Sequence, residues 1–148
     1  MGMNRNSPLM KNSQDILRDN IMTASKEDLT LMLYDGALKF INQAILAVEN
    51  KDMEKANMLC MKAQAIILEF RATLDMSYEI AHQMDTLYIY IYELLVDGNL
   101  KKDTEKLSEA RDLVRNFRDT WKDALIIARK ENSAKNPTPN PNVSTKPK

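Results

Sequence analysis

The sequence is poor in the residues that interrupt helices and in those that build reactive sites. No proline lies between Leu9 and Asn136, and only Gly36 and Gly98 of the three glycines fall inside that span. Such a span is typical of long helices, because glycine and proline are the least favourable residues in a helix interior. The single cysteine, Cys60, allows no disulfide within the chain, which fits a reducing compartment.

The absence of net charge and of long apolar runs excludes several classes of partner and location. The 21 basic and 21 acidic residues leave no net charge, so no global field draws the chain to nucleic acid or to an anionic membrane. No apolar run reaches the ~18 residues of a membrane span, and the polar start of the chain is unlike a signal peptide. We therefore expect no nucleic-acid partner, no membrane insertion and a cytoplasmic location.

The stretch LTLMLYDG, residues 29–36, resembles a strand that enters an Asp-Gly hairpin turn. Its flanks favour a helix, because Ser25 supplies an N-cap three residues before the carboxylate of Asp28 and apolar residues continue at helical spacing to Val48. No second alternating strand follows, so the helix prevails. Inside a helix Gly36 costs roughly 1 kcal/mol relative to alanine, which suggests that another backbone packs closely against it.

Apolar periodicity predicts four helices joined by short polar turns, over about residues 26–50, 53–74, 78–98 and 104–131. Asp52, Ser77 and Asp103 are the expected N-caps of the last three, and Gly98 is the expected left-handed stop of the third. Similar lengths and short connections predict an all-α fold, an antiparallel up-and-down four-helix bundle over residues 23–131. Residues 1–22 are predicted to form a short segment that packs on the bundle, and the Pro- and Asn-rich residues 132–148 a disordered tail.

The helices carry more apolar residues than one buried stripe of about three positions in seven requires. In helix three the predicted core seam leaves two tyrosines, Tyr88 and Tyr92, on another face. That seam comprises Ile80, Met84, Leu87 and Ile91, and further residues outside the main stripes are Leu31, Leu38, Leu46, Met58, Met61, Ala65 and Leu68. One interpretation is imperfect amphipathicity, since folded proteins expose many apolar atoms. The functional interpretation is a set of apolar grooves for a partner's helices, to which tyrosine and methionine side chains are suited.

Arrangements that support catalysis are not found. Glu79 and His82 form the Glu-x-x-His step of di-iron bundles, but the second step cannot exist because His82 is the only histidine. Cys60 lies among apolar neighbours, where thiols are usually inert. The basic stripe of helix four alternates with aspartates, which favours a solvated ion-pair face over a phosphate site; it comprises Arg111, Arg115, Arg118 and Lys122, with Asp112, Asp119 and Asp123. We expect no enzyme activity, metal or cofactor.

Several local motifs are similar to those of one protein family. They are Thr23-Ala24-Ser25, Glu27, LTLMLYDG at 29–36, Leu38-Lys39-Phe40, Lys62-Ala63-Gln64, Leu74-Asp75, Leu94-Leu95-Val96 and Arg118-Asp119-Thr120-Trp121-Lys122. Over about residues 16–129 the chain resembles the flagellin-specific secretion chaperone family FliS. The resemblance implies a cytoplasmic bundle that binds the disordered C-terminal segment of flagellin, prevents its polymerisation and presents it to a component of the flagellar type III export apparatus.

The resemblance also implies how the N-terminal segment acts, whereas the client contacts are predicted from the apolar residues outside the main stripes. In the family this segment covers the apolar surface and yields to the client, a role predicted here for Ile16, Leu17 and Ile21. We predict client contacts at five positions, Tyr88, Tyr92, Leu31, Leu38 and Met58. The chain departs from the family at Ser13 and Ile16, where tyrosines are usual, and at Lys26, where proline is common.

The alternative function is a helical adaptor or scaffold that binds a regulator's amphipathic helix. For the oligomeric state, a monomer and a weak dimer both remain open.

Overall fold

The computed structural model describes residues 25–135, which form four helices and no strand. They are α1 (Lys26–Glu49), α2 (Met53–Thr73), α3 (Glu79–Lys101) and α4 (Thr104–Lys135). Each helix packs on its neighbours in sequence, and α4 closes the bundle against α1. This arrangement confirms the predicted antiparallel four-helix bundle. The predicted N-terminal segment, with Ile16, Leu17 and Ile21, and the chain after residue 135 lie outside the described residues.

Three of the four predicted N-caps are confirmed by their hydrogen bonds. The Ser25 hydroxyl accepts from the backbone N–H of Asp28 at 3.1 Å. The Asp52 carboxylate accepts from the N–H of Lys55 at 3.2 Å, and that of Asp103 accepts from the N–H of Glu105 at 2.9 Å. Each bond satisfies an amide that the helix start leaves without an intrahelical partner.

The predicted start and stop of helix three are wrong. The hydroxyl of Ser77 donates to Asp75 at 2.6 Å, and the N-cap residue of α3 is Tyr78, which makes no side-chain cap bond. Gly98 lies inside α3, which continues to Lys101, and the left-handed residue is Lys102, with φ 51°. A close approach, not a turn, accounts for glycine at this position, because a Cβ on Gly98 would lie 2.6 Å from the side chain of Leu107.

The expected backbone contact at Gly36 is also wrong. A Cβ there would meet only the side chain of Ile66, at 3.7 Å, which is an ordinary van der Waals distance. Nothing in the structure explains why this position is glycine.

Helix α4 is longer than predicted and reaches beyond the start of α1. Residues 132–135, assigned to the disordered tail from the sequence, are helical. Arg129 pairs with Asp28 in the first turn of α1, so the turns of α4 after Arg129 extend past the start of α1. The last helix therefore continues four residues past the predicted boundary, since helical structure does not stop where apolar periodicity ends.

Among the described helices, α1 is long and apolar enough to cross a bilayer by length and composition. Its apolar side chains form the centre of the bundle instead, since Ala37, Ile41 and Ala44 are completely buried. A buried core helix meets the same criterion, so this is weak evidence for a membrane span. The core continues through Ile67, Ile91, Leu95, Leu107 and Val114 of the other helices.

Candidate functional site

Helix α3 is rotated relative to its predicted seam, which places Tyr88 in the core. Tyr88 is 2% exposed, whereas Ile80 and Leu87, assigned to the core from the sequence, are 61% and 44% exposed. The predicted surface position of Tyr88 is therefore wrong. Apolar spacing alone gave no basis for assigning Tyr88 to the core in place of Ile80 and Leu87. Its burial depends on a hydroxyl partner from another helix.

That partner belongs to a stack of four rings, one from each helix, which we call the aromatic layer (Tyr34, Phe70, Tyr88 and Phe117). Ring centroids lie 4.3 Å apart for Tyr34 and Phe70 and 4.8 Å apart for Tyr88 and Phe117. The hydroxyl oxygens of Tyr34 and Tyr88 are 2.6 Å apart, so each buried hydroxyl has a partner. Burial disfavours the phenolate and raises the pKa of both tyrosines.

A cavity of about 420 Å³ lies beside the aromatic layer, where α1 and α3 begin and α2 ends. We call this end of the bundle the open end. Tyr34, Phe70 and Tyr88 of the layer contribute to the cavity lining. Its other lining residues are Lys26, Leu29, Thr30, Leu33, Glu69, Thr73, Leu74, Asp75, Met84 and Trp121. The cavity is therefore mostly apolar, with a few charged groups at its edge, as is usual for sites that bind apolar groups.

Polar contacts between α4 and α1 hold one side of the open end together. The indole N–H of Trp121 donates to the carbonyl oxygen of Glu27 at 3.1 Å. Arg129 lies 2.9 Å from Asp28, and the hydrogen bond from this guanidinium is the main reason that the pKa of Asp28 is lowered. Because these groups are largely exposed, we expect them to orient the helices more than to stabilise them.

An ion pair joins α2 to α3 on the opposite side of the open end. The guanidinium of Arg71 donates two hydrogen bonds to the carboxylate of Asp85, at 2.6 and 3.3 Å. These bonds lower the pKa of Asp85, with the Arg71 hydrogen bond as the largest cause. Paired donors of this kind fix orientation as well as distance. The end of α2 is therefore held in register with the start of α3.

The five predicted client-binding residues do not form one surface. Leu38 is buried and Leu31 is half-buried on α1, so neither is fully exposed. Met58 is 48% exposed and lines a shallow pocket at the start of α2. Tyr92 is half-buried in a different pocket, which it lines with Glu93, Val96 and Asp97 of α3. Their predicted role in client binding stays a prediction.

The outside of α2 carries a larger apolar face than the predicted site included. This outer face comprises Met58, Met61, Ala65, Leu68 and Ala72, all of them exposed. The first four were visible in the sequence as apolar residues outside the main stripe. Their regular spacing was the signal that could have joined them into one candidate surface. We call this surface the α2 outer face.

Residues tested for catalysis or metal binding do not form a reactive site. Cys60 is buried, and burial raises the pKa of its thiol, which is unfavourable for a nucleophile. Within residues 25–135 no group of three or more His, Cys, Asp and Glu side chains is placed to hold a metal ion.

The basic stripe of α4 is an ion-pair face, as predicted. Arg111 and Arg115 both pair with Asp112, at 3.2 and 3.3 Å. Arg118 pairs with Asp119 at 2.7 Å and with Asp35 of α1 at 2.9 Å. These carboxylates neutralise the charge that a phosphate or an acidic protein would require.

Comparison with known proteins decides the family. The family model described as "Flagellar protein FliS" matches residues 9–128. The chain belongs to the FliS family. The flagellar secretion chaperone FliS of Bacillus subtilis is 45% identical over 77% of this chain and 86% of its own length. The FliS chaperone of Escherichia coli is 31% identical, over 72% of this chain and 80% of its own.

Membership of the FliS family confirms the resemblance that the local motifs indicated. It also confirms the prediction of a flagellar secretion chaperone that is not an enzyme. The matched residues 9–128 include the first three helices and most of α4. The aromatic layer, the open-end cavity and the α2 outer face therefore all lie within the matched part of the chain.

Proposed function

We propose that this FliS-family protein is a cytosolic export chaperone that binds the disordered C-terminal segment of flagellin. By covering that segment it prevents premature polymerisation and keeps flagellin ready for a component of the flagellar type III export apparatus. The family and the chaperone names of its relatives support this function. The observation in this chain that carries it is an excess of exposed apolar side chains on the outside of a well-packed bundle, among them Met58, Met61 and Leu68.

A disordered client suits such a surface better than a folded one. An unfolded segment pays its ordering entropy on binding, and burial of its apolar side chains against the chaperone offsets that cost. Exposed methionines are adaptable contacts for a partner that must later be released. Coupled folding of this kind gives affinity together with reversibility, which delivery to an export apparatus requires.

Among the predicted contact residues, we propose that Met58, Tyr92 and Leu31 contact the client directly. Leu38 supports α1 from the core. Tyr88 lines the open-end cavity, so a client reaches it only through that cavity. The variant Tyr92→Ala should weaken binding at least several-fold without loss of helix, because a tyrosine ring buries much area at low entropic cost.

We also propose that residues 1–22 act as a lid, with Ile16, Leu17 and Ile21 as its apolar contacts. This segment joins the bundle just before Lys26, which lines the open-end cavity. Deletion of residues 1–21 should therefore raise client affinity or speed binding, and it should increase binding of a dye that reports exposed apolar surface. Loss of client binding by a truncated protein that stays folded would instead make the segment part of the binding site.

Calorimetric titration of a flagellin C-terminal peptide into the full-length protein tests the main proposal. We expect saturable one-to-one binding with a negative heat-capacity change, because apolar surface is buried. Absence of binding by the folded protein would overturn the proposal. Binding of a regulator's amphipathic helix in its place would support the adaptor function.

A further inference from the structure

The core-facing side of α3 is covered towards the end of the helix but not at its start. Ile91 is completely buried, whereas Ile80 and Leu87 are 61% and 44% exposed. At 3.6 residues per turn, Ile80 and Leu87 lie about 20° and 40° around the helix from Ile91, towards the side of Tyr90. Tyr90 donates a hydrogen bond to Glu109 of α4. The two exposed side chains therefore lie on the side of α3 that faces the groove between α3 and α4.

The facing side of α4 is uncovered in the same way. Ala110 is completely buried, but Ala128, about five full turns later and in the same direction, is exposed. Ile127 has the same relation to Glu109, so it lies on the side of α4 that faces α3, and it is 57% exposed. An apolar strip between the two helices is therefore left open at the open end. We call it the α3–α4 seam, and it comprises Ile80, Leu87, Ile127 and Ala128.

The last turns of α4 extend past the start of α3. Leu107 lies against Gly98, and Phe117 stacks on Tyr88, so ten residues along α4 correspond to ten residues back along α3. Continued to the first residue of α3, this register leaves residues 127–134 of α4 beyond the start of its neighbour. These residues span about 12 Å at the rise of an α-helix. We call them the α4 projection.

The charges of α3 and of the α4 projection are complementary. Residues 72–100 contain no lysine or arginine, although these two types make up 21 of the 148 residues of the chain. Their carboxylates include Asp75, just before α3, and Glu79, its first residue. On the α4 projection, Lys130 is exposed three positions after Ile127 and therefore on the same face. The projection thus carries an apolar and a cationic side chain, and the start of α3 carries apolar and acidic ones.

We propose that a second copy of this chain covers the α3–α4 seam, with the α4 projection of each copy lying along the start of α3 in the other. The projection points away from its own bundle. A twofold rotation that brings two open ends together places it beside the partner's seam, where Ile127 packs on Ile80 and Lys130 approaches Glu79. The same contact forms in both directions, as a symmetric dimer requires. No client takes part, so this inference does not depend on the proposed function.

The size of the contact predicts a weak dimer. Each copy contributes two strips, its α4 projection and the start of its α3, each about 12 Å long and about 10 Å wide. Together they give a footprint of roughly 240 Å², well below the ~800 Å² per partner of a stable complex. We therefore expect monomer and dimer to exchange, with the dimer favoured by high protein concentration and by low salt, which leaves the exposed charges unscreened.

Sedimentation equilibrium of the full-length protein over a range of concentrations tests the dimer. The wild type should show a monomer–dimer equilibrium. Ile127→Glu should keep its helicity and raise the dimer dissociation constant about tenfold or more, because a symmetric interface contains the substitution twice. The matched control is Leu100→Glu, since Leu100 is 76% exposed near the other end of α3. It should change the constant less than threefold.

Two outcomes of this experiment would overturn the inference. One is a wild type that stays monomeric at every concentration. If the protein without residues 1–21 then associates, the N-terminal segment of the same chain is the occupant of the seam. The other is an equal effect of Ile127→Glu and Leu100→Glu, which would place the contact elsewhere.

A charge exchange tests the pairing of the two copies. Lys130→Glu and Glu79→Lys should each weaken the dimer several-fold, because each brings like charges together, and both side chains are exposed. The double variant restores opposite charges and should dimerise about as well as the wild type. High salt should reduce the differences among these proteins. A double variant weaker than either single variant would overturn this arrangement of the two copies.

NMR of the unmodified protein gives a test that depends on no variant. In a mixture of isotope-labelled and unlabelled protein, filtered NOEs should connect the methyl groups of Ile127 in one copy with those of Ile80 in the other. A dimer without a contact between the copies at Ile127 would overturn the inference. Contact of Ile127 with residues 1–22 of its own chain would also overturn it and would identify that segment as the cover of the seam.

Discussion

The two ends of the bundle are packed in different ways. At the closed end, which contains the turns 50–52 and 102–103, Gly98 brings α3 so close to Leu107 that no methyl group fits between them. At the open end, the large rings of the aromatic layer fill the centre, and a cavity of about 420 Å³ remains beside them. Small side chains allow close approach, whereas rings from four helices leave gaps at their edges. The closed end is therefore tightly packed where Gly98 meets Leu107, and the centre of the open end leaves room for a ligand.

The largest effect should come from breaking the aromatic layer. Tyr88→Ala should lower the free energy of unfolding by about 3–5 kcal/mol, because it removes a buried ring and leaves the hydroxyl of Tyr34 without its partner. Urea denaturation followed by circular dichroism measures this change. Tyr92→Ala, at a half-buried position on the same helix, should cost less than half as much. Equal costs would contradict the distinction between a core and a surface tyrosine.

The two helical glycines should respond in opposite directions to alanine. Gly98→Ala should destabilise the protein by about 1–3 kcal/mol, because the new methyl group overpacks against Leu107, which is itself completely buried. Gly36→Ala should stabilise it by roughly 0.5–1 kcal/mol, because alanine is the better helix former and the nearest atom is 3.7 Å away. Thermal melting of both variants checks the contrast. A stabilising Gly98→Ala would show that the closed end is not tightly packed.

The start of α1 at the open end should show an intermediate effect. Ser25→Ala removes the acceptor for the N–H of Asp28 and should cost roughly 1 kcal/mol. Ser25→Asp keeps an acceptor and should retain most of the stability. Melting temperatures of the two variants give the comparison. If Ser25→Ala melts at the same temperature as the wild type, the N-cap makes no measurable contribution to the stability of the protein.

The contrast between the ends also separates what the sequence could predict from what it could not. Helix number, topology and three N-caps depend on local spacing and on side chains near their own backbone, and these predictions are confirmed. The role of Gly98 depends on Leu107 in another helix, and the burial of Tyr88 depends on Tyr34, 54 positions away. Periodicity identifies an apolar face of a helix but does not set its rotation when two faces are apolar.

Only part of the candidate site was predictable from the sequence, because local spacing is visible there and contacts between helices are not. The sequence showed that α2 has apolar residues outside its core stripe, and the structure shows that they are exposed on one face. The open-end cavity has no local signature, because α1, α2, α3 and α4 all contribute to its lining. A surface on one helix can be predicted from the spacing of its residues. A cavity between helices can be predicted only when the relative positions of those helices are known.

The smallest effect at neutral pH, and the sharpest test of the aromatic layer, should come from replacing both phenols. Tyr34→Phe with Tyr88→Phe removes a buried donor and its acceptor together, so the free energy of unfolding at pH 7 should change by less than about 1 kcal/mol. The free energies of unfolding of the wild type and the double variant should diverge at alkaline pH. In the wild type, burial raises the pKa of both tyrosines. Their contribution is therefore complete below the unfolded pKa of about 10 and is lost as pH rises above it.

The double variant lacks these titrating groups and should lose less stability than the wild type above pH ~10. Urea denaturation at a series of pH values measures the difference between the two curves. Tyr78→Phe is the control, because Tyr78 is 63% exposed and should leave the wild-type curve unchanged. All other ionisable groups are shared, so their titration cancels in the difference. Parallel curves for the wild type and the double variant would mean that the paired hydroxyls are open to water and that the aromatic layer is not a sealed core.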